Sequence, residues 1–309
     1  MKPISVLVLF AAGCGASGNA ASSSVEELRA AVPQKSWLAM APVASQQGAG
    51  GATADGASAC AAAGPSTFGT LTHQIAGNAD GVLDGVLGTV AQITQGPPAA
   101  AEPGHAVWGP IGSATSSVYR LEVAATAPSQ FHFVLAGRDA SSDWRGIFVG
   151  DTVAPDASHH AGDVAVDFAA MHALDGTTDP LAGNVNMHFA ADGAAHDVAA
   201  TFAGIVGKPS VPPDDAQYRM ITSSDQSAVF RFATRVDFDG DGTQDEVAQI
   251  ESHWSATGAG VAHLAVTGGS LGTRVVNAVE CWDPSLSRLF YTDDASMHPA
   301  SGDPACCPF

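Results

Sequence analysis

"SAVFRFATRVDFDGDGTQDEVAQIESHW", residues 227–254, decides how the chain is built. Two runs that alternate between apolar and polar residues flank a centre rich in Asp and Gly. Before the centre, Phe230, Phe232, Thr234 and Val236 fall on one face of an extended segment, and Arg231 and Arg235 on the other. After it, Ala248, Ile250, Ser252 and Trp254 share one face, and Gln249, Glu251 and His253 the other. A period of two marks a half-buried strand, because successive side chains point to opposite sides of a pleated backbone. Asp and Gly supply turn geometry between the runs. The stretch therefore reads as a β-hairpin with one face in a core and one in water.

The same rhythm continues in both directions. From about residue 104, segments such as "SVYRLEVAA", "SQFHFVLAG", "GDVAVDFAA", "GNVNMHFAA", "GVAHLAVTGG" and "RVVNAVECW" follow one another with short Gly-, Asp-, Ser- or Pro-containing links. Parallel strands need long crossovers, which are missing, so the pattern implies an antiparallel meander. A sheet with so many strands must curl or close. The expected fold is mainly β: a strongly curved antiparallel meander sheet or barrel, with one N-terminal helix packed on it. "AAMHAL", residues 169–174, reads as a single helical turn between strands.

That helix is expected over residues 67–95. Leu71, Ile75, Val82, Val86, Val90 and Ile93 recur at helical spacing, Ser66 or Thr67 caps the start, and Gly96-Pro97-Pro98 stops it. Gly77, Gly81 and Gly85 are spaced by four, with Gly88 beside them. Each interior glycine costs about 1 kcal/mol relative to Ala. The stripe is explained if the sheet approaches that face closely. Asp80 and Asp84 form an exposed i, i+4 pair and argue against a glycine-mediated membrane helix.

Upstream, residues 14–66 read as an Ala/Gly/Ser-rich tether with a short ordered island. In the island, Ser24 and Glu27 form a capping box that opens a short helix, Pro33 ends it, and "KSWLAMAPV" reads as a short strand or extended segment. The first residues, "MKPISVLVLFAAGCGASG", combine Lys2 with a short apolar run from Ile4 to Ala12. The run is too short to span a bilayer, so it reads as a signal peptide. Ala11-Ala12-Gly13-Cys14 resembles a bacterial lipobox, with Ala11 where that family prefers Leu. The resemblance implies removal of residues 1–13, acylation of Cys14 and attachment to a membrane through lipid alone. The alternative is an ordinary signal peptide cut near Ala12 or Ala16. The layout as a whole resembles lipoproteins of GC-rich bacteria, which implies a cell-envelope location at the outer membrane or its periplasmic face.

The formal net charge is -19 over 309 residues, which excludes nucleic acid and anionic membrane surfaces as favoured partners. Beyond Cys14 the cysteines are Cys60, Cys281, Cys306 and Cys307. An even number in an exported chain implies disulfides. A bond between adjacent Cys306 and Cys307 would close a strained ring, so the tail pair is expected to reach separately to Cys60 and Cys281. "CC" also lacks the two-residue spacer of a zinc knuckle.

Within the opening hairpin, Asp237, Asp239, Asp241 and Asp245 occupy positions 1, 3, 5 and 9 of a loop, with Gly242 at position 6. This resembles the DxDxDGxxD calcium loop of EF-hands, dockerins and type 3 thrombospondin repeats. Calcium takes six to eight hard oxygens, and position 7 contributes a backbone carbonyl, here from Thr243. The pattern departs from an EF-hand at position 12, which is Ala248 rather than a bidentate Glu, and in its strand flanks. The resemblance thus implies a structural calcium clip on a hairpin; Glu246 at position 10 would reach the ion only through water and is not counted among its ligands. A solvated acidic turn is the alternative.

"GGSLG", residues 268–272, matches the letters of a G-x-S-x-G nucleophile elbow, but strand-like segments lie on both sides where the elbow needs a helix after Ser270. A glycine-rich hairpin turn is the plainer reading. His159-His160 in a polar loop is a possible opportunistic metal pair, and His132, His188 and His263 read as ordinary sheet residues. The expected function is that of a non-enzymatic, membrane-anchored exported lipoprotein with a structural calcium site. Its curved sheet would shelter an apolar small molecule or meet another envelope protein. An exported hydrolase and a surface adhesion or assembly module are the alternatives.

Overall fold

The computed structural model describes residues 23–40, 60–112, 117–139, 142–175, 182–206 and 214–308. The signal-peptide and Cys14 expectations, and most of the tether, lie outside these residues. Four α-helices are described: α1 (Val25–Ala30), α2 (Lys35–Leu38), α3 (Thr67–Thr94) and α4 (Phe168–Asp175). The strands begin with β1 (Ala100–Glu102), β2 (His105–Gly112), β3 (Val118–Ala127), β4 (Gln130–Arg138), β5 (Arg145–Val153), β6 (His159–Asp167) and β7 (Ala182–Asp192). They continue as β8 (Ala195–Val206), β9 (Asp214–Thr222), β10 (Ala228–Val236), β11 (Glu246–Trp254), β12 (Gly260–Gly268), β13 (Val276–Trp282), β14 (Arg288–Asp293) and β15 (Ser301–Gly302). All fifteen form one sheet in which each strand pairs with its sequence neighbours.

The pairing is antiparallel, as the short links require, and the opening hairpin shows why the faces segregate. In β10 and β11, Phe230 lies opposite Ser252, and Phe232 opposite Ile250, on the core face. Arg231 lies opposite Glu251 on the other. A slip of one residue would bury both arginines, so the register is strongly specified. The order runs from β1 to β15 without β1 meeting β15 among the described residues, so the sheet is curved rather than closed.

Helix α3 lies on the apolar face and touches β2 and β3 as well as β11, β12 and β13. Its 28 residues span about 42 Å. Eleven strand spacings between β2 and β13 would measure about 53 Å if flat. The sheet therefore bends around the helix. The buried stripe of α3 is Ala76, Ala79, Leu83, Val86, Leu87, Val90 and Ile93, whereas Leu71 is exposed. Of the expected stripe, Val86, Val90 and Ile93 are buried and Ile75 and Val82 pack against the core, so only Leu71 departs from it. The glycine stripe is also corrected: a Cβ at Gly77, Gly81, Gly85 or Gly88 would meet nothing within 4 Å. Those glycines face away from the sheet. Close approach occurs at Gly69 instead, where a Cβ would lie 2.9 Å from the Trp282 ring.

The N-terminal island belongs to the core. Ser24 caps α1 with the expected reciprocal bonds to Glu27. The KSWL segment is helical rather than extended. Adjacent Trp37 and Leu38 are both buried, which one helical turn permits and an alternating strand forbids. Leu28, Val32, Trp37, Leu38 and Met40 join the same cluster as α3 and the sheet. The Met40 amide donates to Asp80 (2.6 Å) and Lys35 pairs with Asp84 (2.7 Å), so the two helical aspartates anchor this segment. With α1, α2 and α3 laid on it, the apolar face of the sheet is occupied by the chain itself.

Both tail cysteines are bonded: Cys60 to Cys306 and Cys281 to Cys307, with Cα separations of 5.8 and 5.5 Å. These bonds fasten the segment after β15 to the stretch that leads into α3 and to β13. Disulfides of this kind belong to an oxidising compartment, so the protein is exported from the cytosol. No helix among the described residues is long and apolar enough to cross a membrane.

Candidate functional site

The acidic loop between β10 and β11 is folded by its own carboxylates. Asp237 accepts from the amides of Gly240 (2.8 Å) and Gly242 (2.9 Å). Asp239 accepts from the Asp241 amide (3.1 Å), and Asp241 from the Thr243 amide (2.7 Å). Gly240 and Gly242 have φ of 78° and 90°, a region that costs other residues strain. The chain thereby wraps around a small volume lined with oxygen.

Glu246 completes that volume from the other side. It is the first residue of β11 and shares the inward register of Ala248 and Ile250, so it is fully buried. Its carboxylate accepts from the Phe238 amide (3.1 Å) and from both the amide and hydroxyl of Ser270 (3.1 Å each). Ligand oxygens of Asp237, Asp239 and Glu246 lie within 4.8 Å of one another. A hard cation with oxygen ligands at about 2.3–2.6 Å would fit between them. Asp241 and Asp245 are not part of this group of three. Glu246, which the sequence pattern leaves out of the ligand set, is the residue that joins the two aspartates. An acid at an inward position of a strand was the signal.

The electrostatics match a crowded anionic pocket. A hydrogen bond from Ser270, followed by the Asp241 amide, holds the Asp239 carboxyl below its ordinary range. The Phe238 amide does the same for Glu246, against its own desolvation and with help from Ser270. Asp245 is pushed up, first by desolvation and then by the charges of Glu246, Asp241 and Asp239. A bound cation would relieve that repulsion. The donor set is entirely oxygen, which suits calcium rather than a thiophilic metal.

Ser270 sits in a 3₁₀ turn, Gly269–Leu271, between β12 and β13. A strand follows it rather than a helix, and its hydroxyl is shared between the carboxylates of Glu246 and Asp239. No histidine bonds it among the described residues. At Gly269 a side chain would collide with the carboxylates of Asp245 and Glu246, so this glycine lets the turn close onto the loop. "GGSLG" is thus a wall of the acidic site.

The histidines do not assemble a second centre. His159 lies between Asp156 (2.8 Å) and Asp192 (3.1 Å), and its pKa is raised chiefly by the bond to Asp156. His160 points the other way and stacks on Trp37 at 3.7 Å. His132 pairs with Asp151 and His188 with Asp163 across adjacent strands. Among the described residues, no other trio of acidic, His or Cys side chains converges as the loop does.

No protein-family model matches the chain, and neither the curated proteins nor the solved structures contain a match to it. The fold and cysteines define a class: an exported, disulfide-bonded domain built from one curved antiparallel meander around its own helices.

Proposed function

We propose that the protein is a non-enzymatic lipoprotein of the cell envelope, anchored through Cys14, whose sheet is braced by calcium at the β10–β11 hairpin. The observation that carries the metal is the convergence of Asp237, Asp239 and buried Glu246 on one volume, backed by the Ser270 turn. Asp241, Asp245 and the Thr243 carbonyl complete the ligand set proposed from the loop pattern. The ion ties two hairpin ends, β10–β11 and β12–β13, at one point. The lipid anchor is supported by the lipobox-like run before Cys14 and by export to an oxidising compartment. An apolar ligand gains no support, since the apolar face is covered by α1–α3. A hydrolase gains none either, because Ser270 serves Glu246.

Calorimetry of the mature domain tests the metal. Calcium at ten times its Kd is expected to add about 1.4 kcal/mol of stability, seen as a rise in Tm, and chelator to remove it. Asp239→Ala should abolish the rise. An unchanged Tm at millimolar calcium refutes a stabilising site. For the anchor, Cys14→Ser is expected to move the protein from the membrane fraction to the soluble one, and retention in the membrane counts against lipidation.

A further inference from the structure

The sheet face opposite the helices carries a groove of about 1080 Å³ that crosses nine strands, β5–β13. It runs perpendicular to the strands, between two rows of side chains that the register aligns. One row is charged: Arg219 lies opposite Arg231, Arg231 opposite Glu251, and Glu251 opposite His263. The other row is neutral. Gln217 lies opposite Ala233, Ala233 opposite Gln249, Gln249 opposite Ala265, and Ala265 opposite Asn277. The floor between the rows is backbone.

Three features restrict what fits. First, the charges of the groove are already neutralised locally. Arg219 bonds Asp197 through two nitrogens (3.0 and 2.7 Å), Arg231 bonds Glu251 (2.6 Å), and His188 bonds Asp163 (3.0 Å). An anionic polymer would find no unpaired cation there and would meet a net charge of -19. Second, the free hydrogen-bonding capacity is neutral. Gln217 and Gln249 are exposed, and beyond the ladder their side chains make no hydrogen bond among the described residues. Each Arg–carboxylate pair also sets a donor beside an acceptor, which is what two neighbouring hydroxyls use. Third, the aromatic rings Phe202, Tyr218 and Phe232 pack together on the helix side, so recognition here is by hydrogen bonds rather than stacking.

The spacing adds a direction. Amides recur at every second strand, an interval of about 10 Å, and nine strands span roughly 38 Å. An extended β-linked glycan repeats equivalent hydroxyls on a similar scale, once per disaccharide. We infer that this groove binds a linear, uncharged polysaccharide laid across the strands. The inference is independent of the metal at the hairpin tip.

Titration calorimetry with cello-oligosaccharides and N-acetylated chito-oligosaccharides tests it, using chains of about two to eight sugars to span the groove. Affinity is expected to rise more than about ten-fold from the shortest to the longest chain, as hydrogen bonds accumulate along the walls. The Gln217→Ala/Gln249→Ala double variant should lose at least about five-fold of it while keeping its Tm, because both side chains are exposed. Heat from no oligosaccharide, an affinity independent of length, or full binding by the double variant overturns the inference. Binding of polylysine in place of the glycans, weakening steeply with salt, overturns it in favour of a basic peptide.

Discussion

Replacing Cys60 and Cys306 together by alanine lowers the free energy of unfolding by about 5 kcal/mol, the loop-entropy value for a bond closing 246 residues. The bond acts mainly on the unfolded chain, which it prevents from separating its two ends. Little of the loss should arise in the folded state, because Cys60 lies on the surface. Urea titration provides two readouts. The midpoint should fall, and the slope m should rise as the unlinked unfolded chain expands and exposes more surface. A fall in stability below about 2 kcal/mol with an unchanged slope would show that the linked ends stay together without the bond.

Glu280→Ala costs about 3 kcal/mol, since it strands buried donors in an apolar setting. Glu280 is fully buried at the N-terminus of α3. Its carboxylate accepts from the Ser66 hydroxyl (2.5 Å) and the Phe68 amide (2.7 Å), and Ser66 in turn accepts from the Gly69 amide (2.8 Å). The helix start is thereby bonded into β13. The positive end of the helix favours the carboxylate, as does Arg288 at 4.0 Å. Glu280→Gln keeps an acceptor for Ser66 and Phe68 and should lose less than half as much. Chemical denaturation ranks the three proteins, and an alanine variant within 1 kcal/mol of wild type would remove this acid from the account of how α3 docks.

How much of this was legible in the sequence depended on how local each cause is. The alternation of Phe230, Arg231 and Phe232 is a property of three adjacent residues, and it correctly specified a strand, its faces and its hairpin. The capping box at Ser24 and Glu27 is equally local and equally legible. So was most of the apolar stripe of α3, but the side its glycines face was not. A glycine stripe looks the same whether a sheet presses on it or solvent does, and only the partner across the gap distinguishes the two. The isolated island of residues 23–40 looked like part of a tether because its burial depends on β2, β3, β7 and β8, all far along the chain. The acidic loop was legible as an oxygen-rich turn. Glu246 and Ser270 were not, because their bond links the first residue of one strand to a turn 24 residues later. The tail cysteines were legible as separate staples, while the choice of partner for each was set by three-dimensional proximity alone.

The strand order has a consequence for how the molecule comes into being. Every strand pairs with the one made just before it, so each hairpin can form as soon as its second arm leaves an export channel. Such a chain has no need to wait for a distant partner while its strand edges lie open, the condition under which exported sheets aggregate. The bonds of Cys306 and Cys307 come after β15, behind all this growth. Oxidation of Cys306 and Cys307 thus fastens a sheet whose fifteen strands have already emerged.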